Sequence, residues 1–390
     1  MGLDALIARG VRDKRVFVRV DLNVPLRGGE ITDDTRVRAS LPTIQRLARA
    51  GARVVLASHL GRPKGKRKPE FSLRPVAPRL AQLLGMGVSF CEDCIGPDAA
   101  RAVAELGPGQ VILLENLRFH AGEEDDDPDV AKALAELADC YVNDAFGTAH
   151  RAHASTAGIT RHVDLVAAGD LMQSELEHLR VVREPQRPLL VILGGAKVSD
   201  KLAVLEALAP HADVLLIGGA MAYTFLAARG EPVGASRVEP DRIDDARRVV
   251  AAAERSGRRL LLPSDHVIAQ KIAADAATRV VTAIPDGWMG VDIGPNTAAR
   301  YATEIARART LFWNGPMGVF ELPPFAAGTA AVARACAQGA ATSVVGGGDS
   351  LAAINQLGLG DRITHLSTGG GASLEYVQGL ELPGVAALER

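Results

Sequence analysis

Short, nearly continuous apolar runs alternate with longer segments of helical periodicity along the whole chain. The periodic segments include residues 129–138 and 243–256. The apolar runs are predicted strands, at 15–21, 53–58, 111–116 and 140–144 in the first half and at 189–194, 214–218, 260–263, 311–313, 343–346 and 363–366 in the second. Continuous apolar strands separated by helices are typical of parallel sheets that are covered on both faces. We therefore predict an α/β fold with two doubly wound, Rossmann-like parallel-sheet domains.

The segment that follows residue 170 is the predicted connector between these domains. Leu171, Glu175 and Leu179 have helical spacing, and Pro185 ends the pattern. We predict an N-terminal domain over 1–170, an inter-domain hinge helix over 171–185 and a C-terminal domain over 186–374. A chain of 390 residues is also too long for one ordinary hydrophobic core, which favours two domains.

The composition narrows the class of partner. Hydrophobic residues make up 47% of the chain and the net charge is −2, so any attraction to polyanions has to be local. Aromatic residues make up only 4%, which leaves few surfaces on which single-stranded nucleic acid can stack. Neither a signal peptide nor a membrane-spanning run is evident. We expect a cytoplasmic protein without a nucleic-acid or membrane partner.

Cys91 and Cys94 form a single CxxC motif. A structural zinc site needs about four ligands, and the sequence has no second cysteine pair or paired histidines to complete one. Reduced cysteines are therefore the expectation for Cys91, Cys94, Cys140 and Cys336, with metal or redox use as the less favoured alternative.

Polar residues follow several of the predicted strands. Asp21 and Asn23 follow the first strand, His59 follows the second, and Arg118 follows the run at 111–116. In the second half, Asn314 and the segment 346–349 end later strands. Ligands of doubly wound sheets bind at the carboxyl ends of the strands, so these positions form the predicted site.

The first half concentrates basic residues around these strand ends. Its candidate ligand-binding residues are Arg36, His59, Arg62, Arg118 and Arg151. Planar guanidinium groups bind carboxylate and phosphate in bidentate fashion, so the pattern indicates a small phosphorylated acid. A nucleic-acid patch is the alternative, which the shortage of interleaved aromatic residues disfavours. Among these cations, we expect Asp21 to accept a hydroxyl of the substrate and to orient neighbouring arginines.

The first glycine-rich segment of the second half combines glycines and lysines after a predicted strand. Gly194 and Gly195 are predicted to expose backbone amides to an anion at the start of a helix. Lys197 and Lys201 are four residues apart and are predicted to share one helix face. Only eight of the 44 basic residues are lysines, so this pair is unlike the background. A solvated helix start is the alternative, and the GxxxxGK[ST] motif is absent.

A second glycine-rich segment, 346–350, is a predicted anion-binding turn. Ser350 is predicted to cap the following helix. The carboxylate of Asp349 would repel a phosphate, but a Mg²⁺ ion that bridges the two groups removes this repulsion. The alternative is that Asp349 is only the N-cap of the following helix. Asn314 and Glu321 are candidates for contacts with phosphate and ribose, although Asn-Gly-Pro is also an ordinary turn sequence.

Seven motifs occur in one order along the chain. They are RVDLNVP at 19–25, SHLGRP at 58–63, ENLRFH at 115–120, NDAFGTAHR at 143–151, GGAKVSDK at 194–201, WNGP at 313–316 and GGGDS at 346–350. Together they resemble the phosphoglycerate kinase family from about residue 15 to residue 373. The resemblance implies two α/β domains joined by a hinge helix, with a C-terminal tail over about 375–390 that returns to the first domain. Members usually act as monomers.

The resemblance also implies a reaction and a set of site residues. The reaction converts 1,3-bisphosphoglycerate and MgADP into 3-phosphoglycerate and MgATP, by closure of a cleft between the domains. The residues it implies for the phosphoglycerate are Asp21, Asn23, Arg36, His59, Arg62, Arg118 and Arg151. Those it implies for catalysis are Arg36, Lys197, Gly347 and Gly370. Those it implies for the nucleotide are Lys201, Gly290, Asn314, Glu321, Gly347, Gly348, Asp349 and Ser350, with Asp349 on Mg²⁺. Ser350 stands where many members have Thr.

Two other functions remain to be compared with the kinase. A nicotinamide-dependent dehydrogenase would share the doubly wound fold, but its GxGxxG motif with a distal acidic residue is absent. A binding protein without catalytic activity would tend to lose its charged transfer residues, yet Arg36, Lys197 and Asp349 are present. The sequence therefore favours the kinase.

Overall fold

The computed structural model of the protein describes residues 1–389. The chain divides into two compact units. Unit 1 comprises Met1–Glu177 together with the C-terminal segment from Glu381, and unit 2 comprises His178–Leu380. Within residues 1–389, we find no helix with the length and apolar character needed to cross a bilayer.

Unit 1 is built on a six-stranded parallel sheet of order β5-β6-β4-β1-β7-β8. Its elements in chain order are α1 Leu3–Ala8, β1 Arg15–Val20, β2 Leu26–Arg27, β3 Glu30–Ile31, α2 Thr35–Arg49, β4 Arg53–Ala57, α3 Val76–Leu84, β5 Val88–Cys91, α4 Gly96–Ala104, β6 Val111–Leu114, α5 Pro128–Ala135, β7 Cys140–Asp144 and β8 Val166–Ala168. Helix α6, Asp170–Arg183, begins in unit 1 and ends in unit 2, because the boundary between the units falls after Glu177. The short strands β2 and β3 form an antiparallel hairpin. Strand β1 lies between β4 and β7, and helices cover the sheet because its strands are apolar on both faces.

Unit 2 contains a six-stranded parallel sheet of order β11-β10-β9-β15-β16-β17 and a three-stranded antiparallel sheet of order β13-β12-β14. Its elements are β9 Leu189–Leu193, α7 Leu202–Leu208, β10 Val214–Ile217, α8 Met221–Ala228, α9 Ile243–Arg255, β11 Arg259–Leu261, β12 His266–Ala269, β13 Arg279–Val281, β14 Met289–Ile293, α10 Pro295–Arg307, β15 Thr310–Asn314, α11 Ala327–Gln338, β16 Thr342–Gly346, α12 Gly348–Gln356, β17 His365–Ser367 and α13 Gly371–Val377. Strand β9 is fully buried between β10 and β15.

The two predicted parallel sheets are confirmed, and each predicted apolar run overlaps a strand. The prediction missed β5 and β8, the two edges of the first sheet. The small antiparallel sheet and the β2–β3 hairpin were also missed. These strands are two to five residues long and several are half exposed, so they lack the continuous apolar run by which the central strands are identified.

Helix α6 begins against the end of β7. The carboxylate of Asp144 accepts hydrogen bonds from the backbone N–H groups of Leu171 and Met172, at 2.9 and 3.2 Å. The N–H of Asp170 donates to the Thr43 hydroxyl at 2.8 Å. Burial raises the pKa of Asp144 to about 7 despite these bonds. The start of α6 is thus held by the sheet of unit 1, because its otherwise unpaired N–H groups need acceptors.

The C-terminal segment packs on unit 1 beside the 145–151 loop. Its helix, α14 (Pro383–Ala386), places Gly384 so that its N–H donates to the carbonyl of Ala149 at 2.8 Å. Leu382 and Leu388 are buried at 2% and 5% exposure. The segment therefore supports the loop that carries Arg151.

We predict that Leu382→Ala lowers the free energy of unfolding of unit 1 by about 2–4 kcal/mol, because it removes buried apolar contacts and leaves a cavity. Leu380→Ala, a matched change at a 50% exposed leucine, is expected to shift stability by less than about 0.5 kcal/mol. Urea unfolding followed by circular dichroism measures both. Hydrogen exchange of the 145–151 amides reports the local effect. Equal effects of the two substitutions would contradict the packing described here.

Candidate functional site

The first of two candidate pockets lies at the carboxyl edge of the unit 1 sheet. We call it the arginine pocket; its volume is about 200 Å³. It is lined by Asp21, Asn23, Arg36, His59, Gly61, Arg62, Arg118, Gly147, Thr148, His150 and Arg151. The structure thus brings together all seven residues predicted for binding a phosphorylated acid. Its volume is below the roughly 300 Å³ at which pockets for drug-sized ligands begin, so it suits a small molecule.

Parallel strand pairing explains why these residues meet. Asp21 follows β1, His59 follows β4, Arg118 lies in a 3₁₀ turn after β6, and Arg151 ends the loop after β7. These four strands are neighbours in the sheet, in the order β6-β4-β1-β7. Their carboxyl ends therefore converge although the residues are up to 130 positions apart.

Hydrogen bonds order the edge of the pocket near Asp21. One carboxylate oxygen of Asp21 accepts from the Arg36 guanidinium at 2.6 Å, and the other accepts from the N–H of Asn23 at 3.1 Å. The side-chain oxygen of Asn23 accepts from the N–H of Gly61 at 2.9 Å. Asp21 thus orients Arg36, and it links the segments that follow β1 and β4.

The pocket carries a strong excess of positive charge. Arg118 is 5% exposed and donates to the carbonyl of Gly61 at 2.8 Å, and its Nε lies 3.1 Å from a carboxylate oxygen of Glu124. Burial lowers the pKa of Arg118, which Glu124 partly counteracts. Arg62 and Arg151 are exposed to solvent. The lining contains four arginines and one aspartate, a net charge of +3 with neutral histidines.

Arg19 supports the pocket through its contact with His59, and it was not predicted as a site residue. It is fully buried in β1, where its guanidinium donates to Ser155 at 2.8 Å, to the carbonyl of Val20 at 2.6 Å and to Nδ1 of His59 at 3.2 Å. Ser155 in turn donates to the buried carboxylate of Glu123 at 2.5 Å. An arginine flanked by apolar residues within β1 was the available sequence signal, because a buried charge requires partners.

Arg19 determines the protonation state of His59. An arginine has only donors, so Nδ1 of His59 must accept and the ring proton lies on Nε2. Burial lowers the pKa of His59 well below its usual value, and the charges of Arg19, Arg118 and Arg36 lower it further. His59 is therefore a neutral ring that can donate from Nε2 without adding charge to the pocket.

The second candidate site, the glycine pocket, lies in unit 2 and has a volume of about 280 Å³. Backbone and apolar groups form most of its wall. It is lined by Gly195, Ala196, Gly219, Ala220, Arg237, Ile272, Met289, Gly290, Val291, Pro316, Gly318, Val319, Glu321 and Asp349. Of the residues predicted for nucleotide binding, Gly290, Glu321 and Asp349 line it directly. A mostly apolar pocket with a few charged groups, here Arg237, Glu321 and Asp349, suits a flat ring attached to a charged chain.

The structure corrects the predicted roles of Gly194 and Gly195. Their N–H groups donate to the carbonyls of Asn314 and Pro316, at 3.0 and 3.1 Å, and so are not free for an anion. A Cβ atom at Gly194 would lie 2.1 Å from the Pro316 carbonyl oxygen, so glycine is required there for close packing of two loops. The prediction failed because it considered only the local turn and not the loop that packs against it.

The predicted helix face of Lys197 and Lys201 is also wrong. Helix α7 begins only at Leu202, and residues 195–201 form bends and turns. Lys197 is exposed, whereas Lys201 is half-buried and its Nζ donates to the side-chain oxygen of Asn314. Burial lowers the pKa of Lys201, although the charges of Asp200 and Asp349 act in the opposite direction.

At the second glycine-rich turn, α12 begins at Gly348 and Gly347 has φ of +90°, a conformation that favours glycine. Ser350 does not cap the helix, contrary to the prediction; it is fully buried and its hydroxyl accepts from the N–H of Gly315 at 2.7 Å. Asp349 lies in the first turn of α12 and is not the N-cap, which removes that alternative. The backbone N–H groups of this turn remain the predicted anion donors.

Asn314, next to this turn, has an amide nitrogen without a hydrogen-bond partner. Asn314 is buried, and its strand β15 pairs with β16 so that Asn314 lies opposite Gly346. The orphaned donor and the cation of Lys201 are suited to phosphate oxygens. The exposed carboxylate of Asp349 adds an oxygen ligand of the kind that Mg²⁺ prefers. These residues fit a magnesium–nucleotide complex. Gly370, the N-cap residue of α13, does not line the glycine pocket.

Asp93, Cys94 and His120 place one potential metal-ligand atom each within 4.8 Å of one another. Asp93 Oδ1 accepts from the N–H of Cys94 and lies 2.7 Å from Nε2 of His120. Burial, with the charge of Asp93, raises the pKa of the Cys94 thiol well above its usual value. The cluster is therefore stable through its own hydrogen bonds, with its cysteine as a thiol. All four cysteines are free of disulfides.

We predict that His59 stays neutral, with its proton on Nε2, between about pH 6 and pH 8, because Arg19 occupies Nδ1 and surrounding arginines oppose a further positive charge. Nitrogen-15 correlation spectra of histidine-labelled protein distinguish the ring forms, and His59→Asn identifies the signal. In urea the same ring is expected to titrate near pH 6.5. A doubly protonated His59 ring at pH 6 in folded protein would contradict the geometry.

The pKa of His153 is lowered as well, to about 3, by burial and by the charge of Arg19. Both rings bind a proton more readily in the unfolded chain than in the folded one. Their contribution to the free energy of unfolding is therefore complete above about pH 6.5 and is progressively lost as the pH falls below it.

Comparison with known proteins agrees with this geometry. A family model described as phosphoglycerate kinase matches residues 7–380. A phosphoglycerate kinase of Rubrobacter xylanophilus is 57% identical over 381 residues, covering 97% of this chain and 96% of that protein. A protein of Nicotiana tabacum named cytosolic phosphoglycerate kinase is 53% identical over 386 residues, with 97% and 96% covered.

Two solved structures are similar over the same length. Phosphoglycerate kinase from Coxiella burnetii aligns with a TM-score of 0.89 at 44% identity, and that from Pyrococcus horikoshii with 0.86 at 35% identity. Each covers 97% of this chain and 97% of the solved chain. The resemblance inferred from the seven motifs is thereby confirmed: the chain belongs to the phosphoglycerate kinase family.

Proposed function

We propose that the arginine pocket binds phosphoglycerate and the glycine pocket binds the nucleotide in the reversible reaction of 1,3-bisphosphoglycerate with MgADP, which gives 3-phosphoglycerate and MgATP. The observation that carries this assignment is the +3 charge of a pocket of about 200 Å³. A three-carbon acid with a carboxylate and a phosphate complements that charge, and guanidinium groups bind both anions in bidentate fashion.

Within the arginine pocket, Arg62, Arg118 and Arg151 hold the anionic groups of the substrate. His59 donates from Nε2, and Asn23 and the carboxylate of Asp21 contact the substrate hydroxyl. Arg118 is rigid because it is buried and bonded to the Gly61 carbonyl, whereas the exposed Arg62 and Arg151 can adjust to the ligand. This combination supports binding that is both specific and readily reversible.

Arg36 and Lys197 act on the phosphoryl group during its transfer, with backbone groups at Gly347 and Gly370. The bond between the phosphorus and the acyl oxygen breaks while a bond forms to the terminal oxygen of ADP. No proton has to be abstracted and no covalent enzyme intermediate is needed, so positioning and charge neutralisation supply the catalysis. Direct transfer requires the two bound substrates to meet, and we propose hinge bending at α6 as the means.

The nucleotide phosphates are held by Lys201, Asn314 and the backbone of the turn 347–350, with Glu321 on the ribose and Gly290 beside the ring. Asp349 holds Mg²⁺, which offsets phosphate charge when it binds with the nucleotide. We further propose a cytoplasmic monomer. The name of the tobacco relative supports this location, and light scattering during size-exclusion chromatography tests the oligomeric state.

We predict that Arg36→Ala lowers kcat by about 10²–10³-fold while the KM for 3-phosphoglycerate changes less, because charge stabilisation is lost mainly in the transition state. Arg38→Ala is the matched control: Arg38 is two residues along the same helix, where it is exposed and paired with Asp34. Steady-state kinetics measure both variants. A pure KM effect of Arg36→Ala would remove its assignment to the transfer step.

We predict that Asp349→Asn raises the KM for MgATP about tenfold and raises the Mg²⁺ concentration needed for half-maximal activity, with the KM for 3-phosphoglycerate unchanged. Asp361→Asn, at an exposed aspartate of the same unit, controls for the loss of one charge. Calorimetric titration of ATP with and without Mg²⁺ gives a second readout. Unchanged Mg²⁺ dependence would show that another group holds the metal.

The activity itself is tested by a coupled assay with 3-phosphoglycerate, MgATP and an NADH-linked dehydrogenase that consumes the acyl phosphate. Turnover that disappears with EDTA and returns with Mg²⁺ is the expected result. Folded protein without turnover would indicate that the arginine pocket serves another phosphorylated acid or a binding role.

A further inference from the structure

The segment that carries Lys197 has little regular structure of its own. Residues 195–201 lie between β9 and α7 and form only bends and turns. Lys197 itself is exposed, and nothing in its own turn fixes where its ammonium group lies. A side chain that acts on a group in transfer must be held close to its working position, since a displacement of about 1 Å can cost 10²-fold in rate. The segment therefore needs an external support.

Glu239 supplies three hydrogen bonds to this segment from 40 residues away. One carboxylate oxygen accepts from the N–H groups of Val198 and Ser199, at 2.5 and 3.2 Å. The other accepts from the Ser199 hydroxyl at 2.6 Å. The bonded residues directly follow Lys197, so they fix the backbone on its carboxyl side.

Glu239 is in turn held by the body of unit 2. Its N–H donates to the hydroxyl of Thr224 at 3.1 Å, and Thr224 is a buried residue of α8. Directly after Glu239, the 3₁₀ turn Pro240–Arg242 leads into α9. Glu239 thus links the turn beside Lys197 to helices α8 and α9, so the position of that turn depends on theirs.

Charge favours the same arrangement. Burial raises the pKa of Glu239, but the hydrogen bonds from Ser199 and Val198 and the charge of Lys197 outweigh that effect and lower it overall. Glu239 is therefore ionised at neutral pH, as an acceptor of three hydrogen bonds should be. Its charge acts on Lys197 directly as well as through the backbone.

We infer that Glu239 is a positioning residue for phosphoryl transfer, which holds the 197–199 segment so that Lys197 is directed to the group in transfer. The inference rests on the role proposed above for Lys197. It gives a function to a carboxylate that is not part of the lining of either pocket.

Kinetics of Glu239→Ala test the inference. The variant is expected to lower kcat by about 10- to 100-fold, with the KM for 3-phosphoglycerate within about twofold. Glu239→Gln is expected to recover most of the activity, because its amide oxygen can accept from the two N–H groups while its NH₂ donates to the Ser199 hydroxyl. Glu231→Ala, at an exposed glutamate eight residues earlier, is the matched control and should leave kcat unchanged.

A double-mutant cycle separates positioning from general stability. In a Lys197→Ala background, Glu239→Ala is expected to have little further effect on kcat, because both changes remove the same contribution. A loss of equal size in both backgrounds would overturn the inference. If Lys197→Ala alone leaves kcat unchanged, the proposed role of Lys197 fails, which is a separate result.

Ser199→Ala provides a milder version of the same test if Glu239→Ala does not fold, as judged by thermal melting. It removes one of the three hydrogen bonds and is expected to lower kcat about threefold or more, again only when Lys197 is present. Wild-type kcat in a folded Ser199→Ala variant would overturn the inference.

Discussion

The pairing of parallel strands is the constraint on which both candidate sites depend. In unit 1 the neighbouring strands β6, β4, β1 and β7 all end at one edge of the sheet. In unit 2, β15 pairs with β9 and β16, and this pairing brings Asn314 next to the turn 347–350. Register fixes these relations to within a residue, because a slip by one position would turn every apolar side chain to the opposite face. The hydrophobic cores thus determine which polar residues meet.

The arginines at the carboxyl edge of the unit 1 sheet repel one another, and neighbouring groups must limit this repulsion. In unit 1, Asp21 pairs with Arg36 and Glu124 lies beside Arg118, while the buried Glu123 balances Arg19 through Ser155. His59 adds no charge because Arg19 occupies its Nδ1. The lining keeps a net charge of +3 with neutral histidines, so the anionic substrate proposed to bind there would relieve a repulsion that the fold itself maintains.

The meeting of Asp21, His59, Arg118 and Arg151 was predictable from sequence, because these residues follow continuous apolar strands whose carboxyl ends must converge. The glycine-rich loops were predicted less well. Gly194 serves loop packing, and Ser350 holds the Gly315 N–H, because each is engaged by a segment more than 30 residues away. Glu239 was missed for the same reason: its role is defined by tertiary partners, and short-range spacing carries no information about those. For Arg19, the apolar neighbours in β1 were a signal that was not used.

The backbone N–H groups of unit 2 differ in whether they are free to bind phosphate. The N–H groups of Gly194 and Gly195 are used by the loop 314–316, and those of Val198 and Ser199 are used by Glu239. These four N–H groups are therefore not available to a phosphate, and the anion contacts proposed for this turn rest on the side chains of Lys197 and Lys201. In the first turn of α12, by contrast, helix geometry leaves backbone N–H groups unpaired, as the proposed phosphate contacts require. In the proposed function, side-chain cations can move with the phosphoryl group as it transfers, whereas the amides of a helix turn would hold the nucleotide in place.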